Sequence, residues 1–147
     1  MNHHQRTTQK VKFLHLTATV RECWVLKSNK RLSGTKPDWT TEPTIHALAV
    51  ESIEVEEAYR RQGECRAFLN HLLDTGKYDM VIVEAVGNQH LAEALLRWGW
   101  DCAPGVMDFY RRTEWGDPAD MRVVKWNLEQ SRHLRERLAS VEKEPTP

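Results

Sequence analysis

Long apolar runs are missing from this 147-residue chain: no stretch approaches the roughly 20 residues needed to cross a bilayer. The polar stretch Met1–Lys10, with His3 and His4 as a solvated end, has no apolar segment behind it, so no secretory signal is expected. Cysteine is scarce and unpaired in pattern. Cys23, Cys65 and Cys102 stand far apart, with no CxxC, which argues against a disulfide framework or a zinc site and for reduced thiols in a cytoplasmic protein. Gly and Pro number 7 and 6, too few for a collagen-like or linker sequence. Net charge is absent as well, with 21 basic against 21 acidic side chains, so no global field draws the chain to nucleic acid or a membrane. There is no internal repeat, no GxxxxGK[ST], no GxGxxG, no GxSxG and no HExxH, which removes the common nucleotide loops, the serine-hydrolase elbow and the zinc-protease helix.

What is present is enough for one domain, with 40% apolar and 29% charged residues. The charge is uneven. Residues 1–47 hold eight bases and three acids, residues 48–58 hold four Glu and no base, and the remainder is nearly balanced. Val11–Val20 and Cys23–Lys27 read as strands, paired as a hairpin across Arg21-Glu22. Residues 28–44, with Gly34, Pro37 and Pro43, read as an exposed loop. Its bases Lys27, Lys30, Arg31 and Lys36 form either a solvated face or an anion contact; four scattered bases give little affinity for nucleic acid.

Ile45–Val55 is apolar on both faces, as a central strand requires. A polar turn over 56–63 leads to a helix with Cys65, Phe68, Leu69, Leu72 and Leu73 on one side, ending near Gly76. Met80–Val86 is a second buried strand. Asn88 can cap a helix lined by Leu91, Ala92, Leu95 and Leu96 and stopped by Gly99. Trp100–Cys102 and Met107–Arg111 are two short strand candidates. The order predicts a mixed α/β (α+β) fold with a central mixed sheet and flanking helices. Asp117-Pro118 starts a further helix over about 118–141, with a disordered tail beyond, so the chain divides into a domain at 1–112 and an extension at 113–147. That charged helix could pack on the body, on a twin subunit as a homodimer contact, or on another protein.

The turn offers chemistry. A strand-to-helix junction leaves amides without intrahelical partners and adds the positive end of the helix dipole. Gly63 permits close approach of a ligand, and Arg60, Arg61 and Arg66 supply cations. Such a site is either an anion cradle suited to phosphate or an ordinary turn with solvated arginines. Three segments then carry a resemblance. Val55-Glu-Glu-Ala-Tyr-Arg-Arg-Gln-Gly-Glu-Cys65 is similar to the pyrophosphate loop of the GNAT N-acetyltransferases, written R/Q-x-x-G-x-G/A, with Arg60 and Gly63 matching and Cys65 departing. Asn88 to Gly99-Trp100 resembles that family's Asn-led helix, and Asp108-Phe-Tyr-Arg-Arg112 its last strand. The likeness covers about residues 45–112, a little under half the chain.

The resemblance implies an acyl-CoA-dependent N-acyltransferase, with acetyl-CoA as co-substrate and a primary amine of a protein or small molecule as acceptor. It implies no metal. It expects two neighbouring strands, Ala47–Val55 and Met80–Val86, to splay and admit the pantetheine arm along Ile53, Glu54 and Val55. Arg60, Arg61, Gln62, Gly63, Glu64, Cys65 and Arg66 would hold the pyrophosphate, and Asn88 would touch pantetheine. It places a carboxylate base on the first splayed strand. Glu51 sits there, expected on the same face as Ala49, Ile53 and Val55, where apolar neighbours would raise its pKa; a Glu pointing to solvent is the alternative. Glu84 is the second candidate, while Glu54, Glu56 and Glu57 read as a solvated cluster. Two departures stand out: Leu95 occupies the position of the family's usual acid, a Tyr, and the helices that normally precede the central hairpin are shortened or missing. A GNAT-like module that binds CoA or a protein without turnover is therefore the second reading.

Overall fold

The computed structural model describes residues 8–26, 31–34, 36–39, 44–103, 107–114 and 136. Seven strands form a single mixed sheet: β1 (Thr8–Phe13), β2 (Leu16–Val25), β3 (Arg31–Ser33), β4 (Ile45–Val55), β5 (Met80–Val83), β6 (Asp101–Ala103) and β7 (Asp108–Arg112). Two helices, α1 (Glu64–Leu73) and α2 (Gln89–Arg97), complete the described elements. Strand order is β1-β2-β4-β5-β7-β6, with β3 paired to β2 beyond Cys23. All neighbours run antiparallel except β4 and β5, whose parallel link is made by the crossover through α1.

The first hairpin differs from its sequence-based placement. It turns at Leu14-His15, since Phe13 faces Leu16 across the ladder, and Leu14 takes a positive φ of 53°. Arg21-Glu22 lies inside β2 instead, because the alternation Arg21, Cys23, Val25 puts all three on a buried face. The stretch 28–44 is likewise more than a loop: β3 adds a short ladder to β2. Strand β5 ends at Val83, three residues before the expected Val86, and the last strand starts at Asp108 rather than Met107. Apart from Glu136, the helix expected over 118–141, its tail and any homodimer contact through it lie outside the described residues.

Both helices cover one face of the sheet. Phe68, Leu69, Leu72 and Leu73 of α1 and Ala92, Leu95 and Leu96 of α2 pack on Leu16, Ala18, Val20, Leu48, Val50, Val81, Val83 and Phe109. Asn88 caps α2 as its sequence predicts, its side-chain oxygen accepting the Leu91 N–H at 3.0 Å. Gly99 then leaves the helix at φ 92°, a conformation that favours glycine. The opposite face carries a second apolar cluster of Cys23, Val25, Ile45, Ala47, Ala49, Met80, Ile82 and Tyr110. Among the described residues no helix is long and apolar enough to cross a membrane.

Candidate functional site at the end of strand β4

Strand β4 outruns its neighbour. It pairs with β5 only over Ala47–Val50, and the last link is the Glu84 N–H to the Val50 carbonyl at 2.9 Å. Residues 51–55 continue against β2 alone, so one main-chain edge there meets no strand among the described residues. Two local features cause this. On β4, the register with β2 slips, with Thr19 opposite Ser52 and Val20 opposite Val50, so Glu51 is the extra residue of a β-bulge. On β5, the chain turns off at Ala85, whose φ is 49°, and crosses to the final hairpin, where the Val86 N–H binds the Met107 carbonyl. The Ala85 N–H is held at 2.8 Å by the Asp108 carboxylate.

The bulge corrects the expected face of Glu51. Ala49 belongs to the cluster opposite the helices, whereas Ile53 and Val55 pack against the helix-side core. Period-2 alternation cannot survive an inserted residue. Nor is Glu51 set among apolar groups. The Arg21 Nε–H donates to Glu51 Oε1 at 2.9 Å, and Arg21 Nη2 donates to Glu84 Oε1 at 2.7 Å. Arg31 extends the chain, contacting Glu84 Oε2 through Nη1 and Asp108 Oδ2 through Nη2 at 2.6 Å. Arg31 Nε is buried with no hydrogen-bond partner among the described residues.

This network holds three carboxylates and two guanidiniums on the face opposite the helices. Arg21 is 4% exposed. Burial by itself would lower its pKa, but the bonds to Glu51 and Glu84 outweigh burial, and the net shift is upward. Arg21, Arg31 and Asp108 were missed as site residues by sequence reasoning. The alternation of Arg21 with Cys23 and Val25 is the signal that could have found the first.

The turn after β4 stands apart from that network. A single 3-10 turn at Glu57–Tyr59 is followed by Arg61 with φ 65° and Gly63 with φ 83°, two left-handed residues that swing the chain into α1. A methyl group placed on Gly63 would meet nothing within 4 Å, so its surface is open. Gly63 is the N-cap and offers no side chain, and its carbonyl takes the Ala67 N–H at 3.0 Å. Among the described residues no acceptor takes the amides of Glu64, Cys65 or Arg66.

The side chains around these amides have varied roles. Arg60 folds back, its Nε–H donating to the Val55 carbonyl at 3.0 Å, and Gln62 donates to the Ala58 carbonyl at 3.3 Å. Arg61 is exposed, and Arg66 lies over the Trp98 ring at 5.5 Å. Glu64 turns to the β1–β2 turn, where Oε1 meets His15 Nδ1 at 2.8 Å, and His15 stacks on Tyr59. The Cys65 thiol packs toward the helix-side core, and burial pushes its pKa up to about 11. Asn88 spends its oxygen on the cap. Glu54, Glu56 and Glu57 are exposed.

The structure therefore brings Glu51 and Glu84 together through Arg21, and gathers the amides of Glu64–Arg66 beside open Gly63. Leu95 is fully buried in the core rather than facing a cleft, and Tyr110 is buried on the other face. Among the described residues no group of three or more His, Cys, Asp or Glu could hold a metal ion. Compared with protein-family models and with curated proteins, the sequence matches none.

Proposed function

We propose that this protein binds an acyl-CoA thioester at the end of β4 and transfers its acyl group, acetyl in the simplest case, to a primary amine of a protein or small molecule. One observation carries the reading: β4 runs past its pairing with β5 and delivers the chain into a turn whose Gly63 surface and helix N-terminal amides are open. An unpaired main-chain edge suits an extended amide-bearing arm, and free amides at the positive end of a helix suit a diphosphate. In this reading the edge at Ile53, Glu54 and Val55 receives the pantetheine arm, which also meets Asn88. The amides of Gly63–Arg66, with Gln62 and the guanidiniums of Arg60, Arg61 and Arg66, hold the diphosphate. The fold is then a GNAT-like sheet with parted strands, the helices that would precede its central hairpin being shortened or missing.

The chemistry is direct transfer. The amine lone pair attacks the thioester carbonyl, an N–C bond forms, the C–S bond breaks and CoA leaves as thiolate, which takes up, directly or through water, the proton shed by the new amide nitrogen. A lysine-type amine with pKa about 10.4 is mostly protonated at neutral pH and must first lose a proton. Glu51 or Glu84 receives it, directly or through a water. A thiolate of pKa about 8.5 departs without an acid, so Leu95 in place of a Tyr is compatible with turnover.

A specific observation favours a second reading, a CoA-binding or protein-interaction module without turnover: both candidate bases are engaged by Arg21. Calorimetric titration with acetyl-CoA tests what the two share, and absence of binding at tens of micromolar refutes both. A thiol-trapping assay with a panel of amines then separates them. Release of free CoA that depends on the amine supports transfer; binding with no release supports the module.

A further inference from the structure

A concavity lies toward the C-terminal end of α1. It measures about 740 Å³, within the range of small-molecule sites, and opens between β1, β2, the start of β4 and the C-terminal turn of α1. The lining residue of α1 nearest to Gly63 is Phe68, five positions on, about 7.5 Å of helical rise away. Of the groups at the β4 site, only Arg21 also borders it.

Its walls have a definite chemistry. The floor is apolar, built from Phe13, Leu48, Phe68 and Leu72. One side is flat: Trp24 stacks on His46 at 4.3 Å and 12°, and the indole is fixed by its N–H to the Gly34 carbonyl at 3.1 Å. The rim is basic, with Lys12, Lys36 and Lys77 all exposed at the cavity. Glu22 is the carboxylate there, and it is already occupied. Its Oε1 accepts the Tyr78 hydroxyl at 3.2 Å, and its Oε2 lies 3.7 Å from His46 Nε2. The three lysines have no carboxylate partner among the described residues.

The balance of charge selects the ligand. An aromatic wall beside a carboxylate could draw a cation, but Lys36 already stands 5.8 Å over the Trp24 ring, and the single carboxylate Glu22 faces three lysines. What remains unmatched is positive charge above an apolar floor. From this arrangement we propose that the cavity binds a small amphipathic carboxylate, its flat apolar body between the Trp24–His46 stack and the Phe13–Phe68 floor, its anionic group at the lysine rim. The site is separate from the acyl-CoA reading and stands or falls without it.

The test uses the full chain and 2-naphthoate, followed by amide and indole NMR. The expected result is saturable one-to-one binding that moves the Trp24 indole N–H and the amides of Lys12, His71 and Thr75. The neutral analogue 2-naphthylmethanol should bind about tenfold more weakly, as three rim ion pairs of modest strength require. Combined Lys12→Gln, Lys36→Gln and Lys77→Gln should lower naphthoate affinity by about the same factor while leaving the melting temperature unchanged, since all three side chains are exposed. Equal affinity for the neutral analogue, the triple variant binding as wild type, or no saturation at millimolar naphthoate would each overturn the proposal. Shifts centred on Gly63–Arg66 would overturn it too, by assigning the carboxylate to the anion turn.

Discussion

The two faces of the sheet meet burial in different ways. On the helix side, α1 and α2 lay leucines on Leu16, Ala18, Leu48, Val50, Val81 and Phe109, forming the larger of two apolar clusters. On the opposite side the apolar cluster of Ile45, Ala47, Met80 and Ile82 gives way, toward the end of β5, to five charged side chains wired from Glu51 through Arg21, Glu84 and Arg31 to Asp108. The first face is held by area removed from water, which tolerates small changes in proportion to volume. The second is held by matched partners, and removing one strands the others. That contrast explains why the pairing of β4 with β5 stops where it does. The bulge at Glu51 and the left-handed Ala85, fixed by Asp108, both belong to the charged side.

The contrast breaks most visibly at Arg21. Arg21→Met should cost about 3–5 kcal/mol in chemical denaturation, because it leaves Glu51 and Glu84 without their shared guanidinium. Adding Glu51→Gln to that variant should recover part of the loss, whereas simple volume loss would give no recovery. On the helix face, Leu95→Ala should cost about 2–5 kcal/mol, scaled by the cavity it leaves. Leu95→Tyr sharpens the point. With its side chain at 0% exposure, the larger ring overpacks the core, so the variant should lose about 1–3 kcal/mol and gain no transferase rate. A rate increase measured by thiol release would show that this position faces the site after all.

Local pattern made the helix face legible. The spacing of Phe68, Leu69, Leu72 and Leu73, the cap at Asn88 and the stop at Gly99 are all short-range signals, and each element formed where they predicted. The long apolar strand at Ile45–Val55 was equally plain. The charged face was illegible because its meaning is non-local: Arg21 meets partners 30 and 63 residues away. Taken alone, Arg21-Glu22 resembles a polar turn, and Arg31 resembles one more base in an exposed loop. The bulge hides for the same reason, since a register slip is a property of two strands and leaves no mark in one. In the turn, Gly63 was readable from its place between strand and helix, but the diversion of Glu64 to His15 was not.

The turn joins the two faces and answers to neither, so substitutions there should be cheap for folding and visible in binding. Gly63→Ala puts a Cβ into open space but on a left-handed residue, and about 1 kcal/mol of stability should be lost for the backbone alone. Gly63→Asn, which tolerates that conformation better, should fold more stably than the Ala variant. If both retain full acetyl-CoA affinity in calorimetry, the open surface at Gly63 is not where the diphosphate lies.

The smallest expected effect compares one thiol from each face. Cys102 is buried on the helix side and Cys23 opposite, and burial pushes each pKa from 9.0 to about 11. A thiol whose folded pKa is raised stabilises the fold fully below the unfolded value, and that contribution is lost as pH climbs from 9 toward 11. At pH 9 the unfolded thiol is half ionised, so each cysteine should already remove about 0.4 kcal/mol. Denaturation midpoints measured at pH 7 and pH 9 should therefore fall less for Cys23→Ala and for Cys102→Ala than for the wild type, by similar amounts. Arg21 and Arg31 favour the Cys23 thiolate against Glu84 and Glu22, while Asp108 and Asp101 only oppose that of Cys102. A markedly smaller pH effect for Cys23 than for Cys102 would show that guanidinium charge, rather than burial, governs the far face.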